Sequence, residues 1–335
     1  MKLNFFEYLL LFLNGMLLIF QLMLMGTFPS FFDFSVLNLF VPILVLINLL
    51  FFLYWLAKLK WPFLLFMLCF LIGYNQWGLL YQFPKNSIRK SSSSFSVMSF
   101  NVRLFNKYNW LENIEVPAEI EKLLAKEQPD IICFQEYSKT EAPRLEDYPY
   151  KYIQPSRAMG KSQLALFSKF PILNQGYITF DDSSNGGAFI DVSSQGKKFR
   201  VYNLHLESLR INIQDSILSN PDSEAIQLKF NQVFKKQLAQ LGVFEEINKT
   251  NTLPTIICTD LNNSQFSKSY DRLASARQDA FTTAGKGLGT TFHFSFFPLR
   301  IDFIFADDVF AINEFKALEV KLSDHYPIVS RFGWK

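Results

Sequence analysis

The residues best suited to chemistry lie near the end of the chain, where Asp324 is followed directly by His325, one of only three histidines. A second aspartate, Asp302, lies upstream in the apolar, strand-like segment of residues 300–305. An acid in such a segment is costly to bury unless it is paired or bound to a metal. The pattern therefore predicts a histidine base, an aspartate that orients it and a further acid that is free to hold a cation.

Several predicted strands end in polar residues of catalytic type. Alternation and turn residues predict strands at residues 95–102, 130–136, 164–168, 189–192, 199–206, 255–260 and 300–305. Four of these strands end at or close to Asn101, Glu136, His205 and Asp260. Period-two alternation places His205 on one face with Asn203, and Asn262 shares a face with Asp260 if the extended chain continues. A polar residue at the end of one strand carries little information. The series of such endings predicts that these side chains lie together at one edge of the sheets.

Each of these residues taken alone also fits a structural role. Asp302 could be an acid capped by backbone amides, His205 a satisfied strand histidine and Glu136 a loop residue. His293 has no motif partner, so it is predicted to be structural. The Asp–His pair alone also suggests a triad of the serine-hydrolase type, but no nucleophile elbow accompanies it. Activation of water by His325 is therefore the preferred interpretation.

The composition excludes some classes of function. The net charge of +3 over 335 residues is small and does not predict nucleic-acid binding. Three cysteines exclude a disulfide framework and offer no zinc-binding spacing. Cys69, Cys133 and Cys258 lie in apolar segments, where we expect them to act as small buried hydrophobic residues.

The elements before the catalytic residues include a strongly apolar N-terminal region. Three apolar segments, residues 8–28, 36–56 and 61–81, each have about 20 residues, which matches a bilayer core of about 30 Å. No polar face repeats along them, so buried soluble helices are disfavoured. Residues 1–83 are therefore predicted to form a three-helix transmembrane anchor in the lipid bilayer. Isolated polar residues in these segments are expected to hydrogen-bond between helices: Asn14, Gln21 and Asn48.

The charges beside the three apolar segments give opposing indications of orientation. The positive-inside rule applied to Lys2, Lys58 and Lys60 places the N-terminus and the second connection in the cytoplasm, so three crossings place the C-terminal domain outside it. Three basic residues after the third segment favour the opposite arrangement: Lys85, Arg89 and Lys90. Because the first helix usually dominates, we expect an integral membrane protein with an extracytoplasmic C-terminal domain. A transporter is disfavoured, because no charged residue lies within the three segments.

A polar, serine-rich linker at residues 84–94 separates the anchor from a C-terminal domain at residues 95–335. Amphipathic patterns predict helices near residues 117–127 and within residues 223–248 of this domain. About 240 residues can bury one large core. Strands interspersed with helices fit two packed sheets flanked by helices.

The ordered set of motifs resembles the endonuclease/exonuclease/phosphatase superfamily, which includes deoxyribonucleases, apurinic endonucleases and neutral sphingomyelinases. The motifs appear in family order over about residues 95–333: Ser99-Phe100-Asn101, Gln135-Glu136, Asn203-Leu204-His205, Asp260-Leu261-Asn262, Arg300-Ile301-Asp302 and Ser323-Asp324-His325. The resemblance implies an α/β fold, a four-layer α/β sandwich of two packed β-sheets flanked by helices, here preceded by three transmembrane helices. One departure is Thr259, where the family usually has glycine, and it leaves the turn geometry open.

The resemblance also implies a metal cofactor, Mg²⁺ or Mn²⁺. Glu136 would be the main carboxylate ligand, with Asn101 and Asp324 nearby. Hard divalent ions prefer oxygen ligands and are commonly held by few carboxylates plus substrate phosphate. The ligand types at these three positions are consistent with that preference.

The remaining motif residues would carry the catalytic steps in the same family scheme. His325, oriented by Asp302, would be the general base on the attacking water. His205 would donate to a phosphoryl oxygen or assist the leaving group. Asp260 and Asn262 would position the water and the phosphate.

The motifs together predict a membrane-anchored, divalent-metal-dependent phosphoesterase. We expect a phosphodiester as the substrate, in nucleic acid or in a phospholipid head group, and the catalytic residues do not distinguish the two. The alternative is a catalytically inactive, membrane-tethered binding or scaffold protein on the same fold. Degenerate members typically lose the glutamate or the Asp–His pair, whereas Glu136, Asp324 and His325 are all present.

Overall fold

The N-terminal region is helical in the computed structural model, which describes residues 3–26, 37–84, 94–155, 162–208, 223–293 and 297–335. Its helices are α1 (Phe5–Leu24), a 3₁₀ turn (Leu37–Phe40), α2 (Val41–Ala57), α3 (Phe63–Ile72) and α4 (Tyr74–Leu80). Helix α1 begins with a capping box, in which the side chains of Asn4 and Glu7 accept each other's backbone N–H groups at 2.8 Å.

Two helices in the described residues are long and apolar enough to span a membrane, Phe5–Leu24 and Leu37–Ala57. The third apolar segment was predicted as one helix, but it is divided into α3 and α4, which meet at 85°. The break lies at Gly73, where an added Cβ would come within 3.1 Å of the Leu22 side chain. Helix α3 reaches only about 15 Å along its axis, half of a bilayer core. A third span therefore requires the bent pair to cross as one unit.

The predicted hydrogen bonds between the apolar helices are confirmed. The Asn14 side chain donates to Asn48 Oδ1 at 3.2 Å, and the Asn48 side chain donates to Gln21 Oε1 at 2.8 Å. A buried ion pair joins Glu7 at the start of α1 to Lys60 after α2 at 3.2 Å. These contacts hold α1 and α2 together as antiparallel neighbours.

The predicted α/β sandwich is confirmed: the described residues contain two six-stranded sheets with helices outside them. The first has the order β11-β12-β1-β2-β4-β3 and the second β5-β6-β7-β8-β10-β9. The strands are β1 (Phe95–Asn101), β2 (Ile131–Tyr137), β3 (Tyr150–Ile153), β4 (Gln163–Ser168), β5 (Ile172–Thr179), β6 (Gly186–Ser194), β7 (Lys197–His205), β8 (Thr255–Asp260), β9 (Gln278–Asp279), β10 (Asp302–Ala306), β11 (Phe310–Ala317) and β12 (Ile328–Trp334).

Aromatic side chains fill much of the space between the two sheets. Phe95 of β1 stacks on Phe199 of β7 with ring centroids 4.6 Å apart, and on Phe332 of β12 at 5.7 Å. Cys133 and Cys258 are fully buried in the same core, as expected, whereas Cys69 in α3 is only partly buried. This core fixes one sheet against the other, so that strand ends from both sheets can form one rim.

Among the described residues of the domain, the α-helices are α5 (Val116–Glu127), α6 (Ser223–Asn248), α7 (Lys268–Ala274) and α8 (Ala280–Ala284), with a 3₁₀ turn at Arg103–Asn106. Both predicted helices and all seven predicted strands are present, with ends shifted by up to three residues. Residues 85–93 of the predicted linker lie outside the described residues.

Strand register brings the predicted catalytic positions to one edge of the sandwich. In the parallel pair β7 and β8, His205 lies opposite Asp260, and the antiparallel strand β10 places Asp302 opposite the same aspartate. In the other sheet, Asn101 lies opposite Gln135 at the ends of the parallel strands β1 and β2. We call this the active-site edge and the opposite one, where β1 and β2 begin, the far edge.

Candidate active site

The centre of the site is a buried group of three residues, Asp260, Asp302 and His325. His325 Nδ1 lies 2.9 Å from Asp302 Oδ2 and 3.1 Å from Oδ1, while its Nε2 lies 3.9 Å from Asp260 Oδ2. The three side chains belong to residues that are at most 5% exposed. Asp302 therefore fixes the ring orientation of His325 and leaves Nε2 facing the rest of the site.

Local backbone contacts explain how Asp302 and His325 meet. Thr291 Oγ1 accepts the backbone N–H groups of Ile301 and Asp302, each at 3.0 Å, at the point where β10 begins. Phe292 pairs with His325 as an isolated bridge, and its ring packs edge-on against the imidazole at 4.9 Å. The segment at residues 291–293 thus contacts both the start of β10 and His325, which precedes β12.

Burial and neighbouring charge shift the pKa of both members of this pair. Burial raises the pKa of Asp302 to about 6, against the lowering effect of His325. For His325, burial lowers the pKa, but the carboxylates of Asp302 and Asp260 raise it, and the net result lies well above the usual range. The buried pair therefore retains a proton readily, and the Asp302 carboxylate stabilises an imidazolium.

The residues predicted at the ends of β1, β2 and β7 converge on the same aspartate. The Asn101 amide nitrogen donates to Asp260 Oδ2 at 2.8 Å and to Glu136 Oε1 at 3.2 Å. His205 Nε2 lies 3.5 Å from Asp260 Oδ2 and 4.0 Å from Glu136 Oε1. This nitrogen is buried without a hydrogen-bond partner among the described residues. It is therefore available for a group that enters the site.

The positions of Asn101 and Glu136 reflect local backbone geometry. The Arg103 N–H donates to Asn101 Oδ1 at 3.0 Å, which turns the amide nitrogen of Asn101 toward the carboxylates. Glu136 has a positive φ of 49°, within an irregularity of the β2–β4 pairing between Phe134 and Tyr137. Such an irregularity re-aims a side chain at the end of a strand.

The extended chain does not continue from Asp260 to Asn262, so the condition for a shared face is not met. Its φ of 51° is in the left-handed region, and its N–H donates to Asp260 Oδ1 at 3.0 Å. The Asn262 side chain donates to the carbonyl of Leu206 at 3.1 Å. Because Asp260 accepts this backbone hydrogen bond, the chain turns directly after β8, with Thr259 still inside the strand.

Asp324 lies beside the central group and pairs with a residue that the sequence did not single out. Arg103 Nη1 lies 3.0 Å from Asp324 Oδ2, and the Arg103 guanidinium lies 4.2 Å from the centroid of the Trp110 ring. Arg103 begins a run of four residues with positive φ, none of them glycine. Only Asn106 at its end is of a type that favours a left-handed conformation, so the residue types do not predict the whole turn. The side-chain contacts within the site therefore join six of the eight predicted residues, whereas Asp324 pairs with Arg103 and Asn262 reaches Asp260 only through its backbone N–H.

The residues fit a hard divalent cation in their chemistry. The carboxylates of Glu136 and Asp260 lie beside the Asn101 amide and the His205 ring, and oxygen-rich groups of this kind are the ligands preferred by Mg²⁺. Several carboxylates buried together are costly without a compensating cation. Asp260, Asp302 and His325 form one group of possible ligands, whose ligand atoms lie within 4.8 Å of one another. Since Asp302 and His325 are hydrogen-bonded to each other, Glu136 is the more accessible ligand.

The chain resembles known proteins in sequence pattern and in fold. A family model described as the Endonuclease/Exonuclease/phosphatase family matches residues 98–325, more than half of the chain. A search by sequence among curated proteins finds no match.

Several solved structures share the fold at low sequence identity. TDP2 of D. rerio in complex with a single-strand DNA product has 16% identity and a TM-score of 0.55, over 72% of this chain and 100% of that chain. The catalytic domain of human Nocturnin with a bound sulfate anion has 16% identity and a TM-score of 0.53, over 75% and 97%. A mannosyl-6-phosphatase of Bacteroides thetaiotaomicron has 18% identity and a TM-score of 0.52, over 72% and 100%.

Proposed function

The chain belongs to the endonuclease/exonuclease/phosphatase family and is a hydrolase of ester bonds, and we propose that it is a membrane-anchored, divalent-metal-dependent phosphodiesterase. The observation that carries this proposal is the convergence of His325, Asp302 and Asp260 with the Asn101–Glu136 pair at one edge of the sandwich. A base, an orienting acid and oxygen ligands are the groups that hydrolysis of a phosphate ester by water requires.

In the proposed mechanism, His325 Nε2 takes a proton from the attacking water. Asp302 holds Nδ1 at 2.9 Å and stabilises the imidazolium that forms. His205, whose Nε2 has no partner among the described residues, donates to a phosphoryl or leaving-group oxygen. Asp260, together with the turn at Asn262, positions the water and the phosphate.

Glu136, with Asn101 and Asp324 nearby, would hold the divalent ion, which would supply positive charge to the phosphoryl oxygens. Carboxylate and amide oxygens suit both Mg²⁺ and Mn²⁺, so we propose either ion as the cofactor.

The proposed substrate is a phosphodiester in nucleic acid or in a phospholipid head group. Two fold relatives carry names that refer to phosphate esters or their products, TDP2 with a DNA product and the mannosyl-6-phosphatase. We further propose the division into an anchor at residues 1–83, a linker at 84–94 and a catalytic domain at 95–335. The positive-inside rule applied to Lys2, Lys58 and Lys60 supports an extracytoplasmic catalytic domain.

The first test is hydrolysis of bis-p-nitrophenyl phosphate by the full chain in detergent, with and without Mg²⁺ or Mn²⁺. We expect chelation by EDTA to abolish turnover, and Glu136→Gln and His325→Ala each to lower kcat by about 10²–10⁴. Glu119→Gln, on the exposed face of α5, is the matched control and should retain wild-type turnover. Wild-type turnover in both site variants would contradict the assignment. No turnover by the wild-type protein on any phosphodiester would favour the inactive-scaffold alternative.

A further inference from the structure

The N-terminal helices contact the catalytic domain through their ends nearest to α4. Leu24 and Met25 at the end of α1 and Val41 at the start of α2 form one buried cluster with Leu80 and Phe266. The Glu7–Lys60 ion pair lies at the opposite end of the two helices. Among the residues that the structure describes, helices α1 and α2 therefore contact the catalytic domain only near the end of α1 and the start of α2. Their exposed apolar side chains lie along the rest of their length.

The contacts of these helices fall on loops of the active-site edge. Asn38 donates to the carbonyl of Phe266 at 2.6 Å and accepts from Ser264 Oγ at 3.4 Å, and both of these residues follow β8. Leu299 and Phe297, which precede β10, pack with Phe40. The far edge takes no part in these contacts within the described residues.

Chain connectivity places these contacts close to the catalytic residues. Ser264 is two residues from Asn262, at most about 7 Å along the chain, and Leu299 is three residues from Asp302, at most about 10 Å. The lipid head-group layer is about 5–8 Å thick on each side of the bilayer core. The reacting groups therefore lie at about the depth at which lipid phosphates lie, if the bilayer ends where α1 ends and α2 begins.

The other side of the site also presents residues suited to a membrane surface. Tyr108 and Trp110 follow the left-handed turn after β1 and are 50% and 41% exposed, with ring centroids 5.4 Å apart. Tyrosine and tryptophan are the residues enriched at the membrane–water interface. Arg103 and Lys321 line a cavity of about 320 Å³ beside Asp324 and bring positive charge to the same edge.

From this placement we infer that the active-site edge faces the bilayer that holds the N-terminal helices, and that the substrate phosphodiester belongs to a membrane lipid. The substrate assignment rests on the proposed phosphodiesterase activity, whereas the orientation does not. The site opens between the contacts of the N-terminal helices on one side and the exposed Tyr108 and Trp110 on the other. Its opening is therefore directed toward the lipid head groups. A lipid phosphate reaches such a site from within the membrane surface.

Spin labels test the orientation independently of activity. Tyr108→Cys and Tyr150→Cys, each in a Cys69→Ala background, would be labelled in the full chain and reconstituted into phosphatidylcholine vesicles; Cys133 and Cys258 are fully buried and remain unlabelled. Tyr150 is 39% exposed at the far edge, so it is the matched control. We expect the label at 108 to be protected from a water-soluble nickel relaxant and the label at 150 to be accessible. Equal accessibility at both positions would overturn the orientation.

Two esters with the same reacting group test the substrate class. The full chain in phosphatidylcholine vesicles would receive hexadecyl p-nitrophenyl phosphate or its ethyl analogue. In each, water attacks phosphorus, the bond to the nitrophenyl oxygen breaks, and the products are the alkyl phosphate and p-nitrophenolate. We expect at least tenfold faster hydrolysis of the hexadecyl ester, and we expect Tyr108→Ser to lower only that rate by at least threefold. Tyr150→Ser should change neither rate.

The possible outcomes separate the inference from the proposed function. Equal rates on the two esters, or faster cleavage of a single-stranded DNA oligonucleotide than of the hexadecyl ester, would overturn the lipid assignment while leaving the phosphodiesterase intact. No hydrolysis of any of the three substrates would overturn the proposed function itself. In that case the spin labels still decide the orientation.

Discussion

At the scale of single residues, the His325–Asp302 pair determines how the site responds to pH. The carboxylates of Asp302 and Asp260 raise the pKa of His325 well above its usual range, against the effect of burial. The folded chain therefore binds this proton more tightly than the unfolded chain. The resulting stabilisation is fully present below about pH 6.5 and is lost as the pH rises through the folded pKa. Catalysis has the opposite dependence, because the base acts only after His325 has lost the proton.

Asp302→Asn is expected to lower kcat by about 10²–10⁴ and to move the acid limb of the pH–rate profile to lower pH. The physical reason is that the variant loses the anion that raises the pKa of His325, as well as the acceptor that orients its ring. The profile of kcat against pH, measured with a soluble phosphodiester, checks both effects. Asp308→Asn removes a remote carboxylate that is 90% exposed and should leave the profile unchanged. An acid limb that stays in place in Asp302→Asn would contradict this account.

The site residues differ in how far the sequence could predict them. His325, Asp302 and Asp260 could be predicted from the sequence, because polar residues at strand ends share an edge of the sheet once the strand register is fixed. The pairing of Arg103 with Asp324 depends on a run of positive φ angles in residues other than glycine, which no local pattern encodes. The turn at Asn262 could not be predicted, because it is stabilised by a hydrogen bond to Asp260, a contact between neighbours that strand alternation does not describe.

At the scale of elements, Arg300 joins the start of β10 to its surroundings. Its Nη1 lies 2.7 Å from Asp279 Oδ2, with both side chains at most 2% exposed, and its Nη2 donates to the carbonyl of Leu79 in α4 at 3.1 Å. Tyr270 donates to the same carboxylate oxygen at 2.8 Å. One buried cation therefore connects the strand that begins with Asp302 to both α7 and the N-terminal helices.

Arg300→Leu is expected to destabilise the protein by about 3–5 kcal/mol, because it leaves the Asp279 carboxylate buried without its cation. Thermal unfolding of the full chain in detergent measures the loss. Arg331→Leu is the matched control, since Arg331 lies 3.7 Å from Glu314 with both side chains more than a third exposed, and it should cost at most about 1 kcal/mol. Equal unfolding temperatures for the two variants would show that the buried ion pair does not stabilise the fold.

Elements with strong patterns were predictable, whereas elements defined by tertiary contacts were not. The core strands β1, β2, β7 and β8 combine apolar runs with burial on both faces. Strands β3 and β5 lie at sheet edges, where exposed positions interrupt the apolar pattern. Composition also could not show the bend at Gly73, because the two helices beside it together have the length and hydropathy of one membrane span.

At the scale of the whole molecule, the N-terminal helices cover part of the apolar surface of the catalytic domain. Phe266, Phe297 and Phe230 are 5%, 9% and 6% exposed in the full chain. Their clusters include residues of the N-terminal helices, among them Leu39 and Phe40. The domain is therefore not an independent body on a tether, and removal of the helices exposes these aromatic side chains to water.

A fragment of residues 84–335 is expected to self-associate, because each exposed phenylalanine at the former contact costs about 2 kcal/mol of lost burial. Replacement of Phe230, Phe266 and Phe297 by Ser in that fragment should restore a monomer, as measured by light scattering after size-exclusion chromatography. The matched control replaces Leu173 and Val309 by Ser in the same fragment. These two side chains are already 50% and 40% exposed in the full chain, so the self-association should be unchanged. A fragment that is monomeric without any substitution would show that the helices do not shield the domain. If the triple variant still self-associates, another surface of the domain must cause the association. The two outcomes therefore distinguish apolar surface that the helices cover from a general insolubility of the domain.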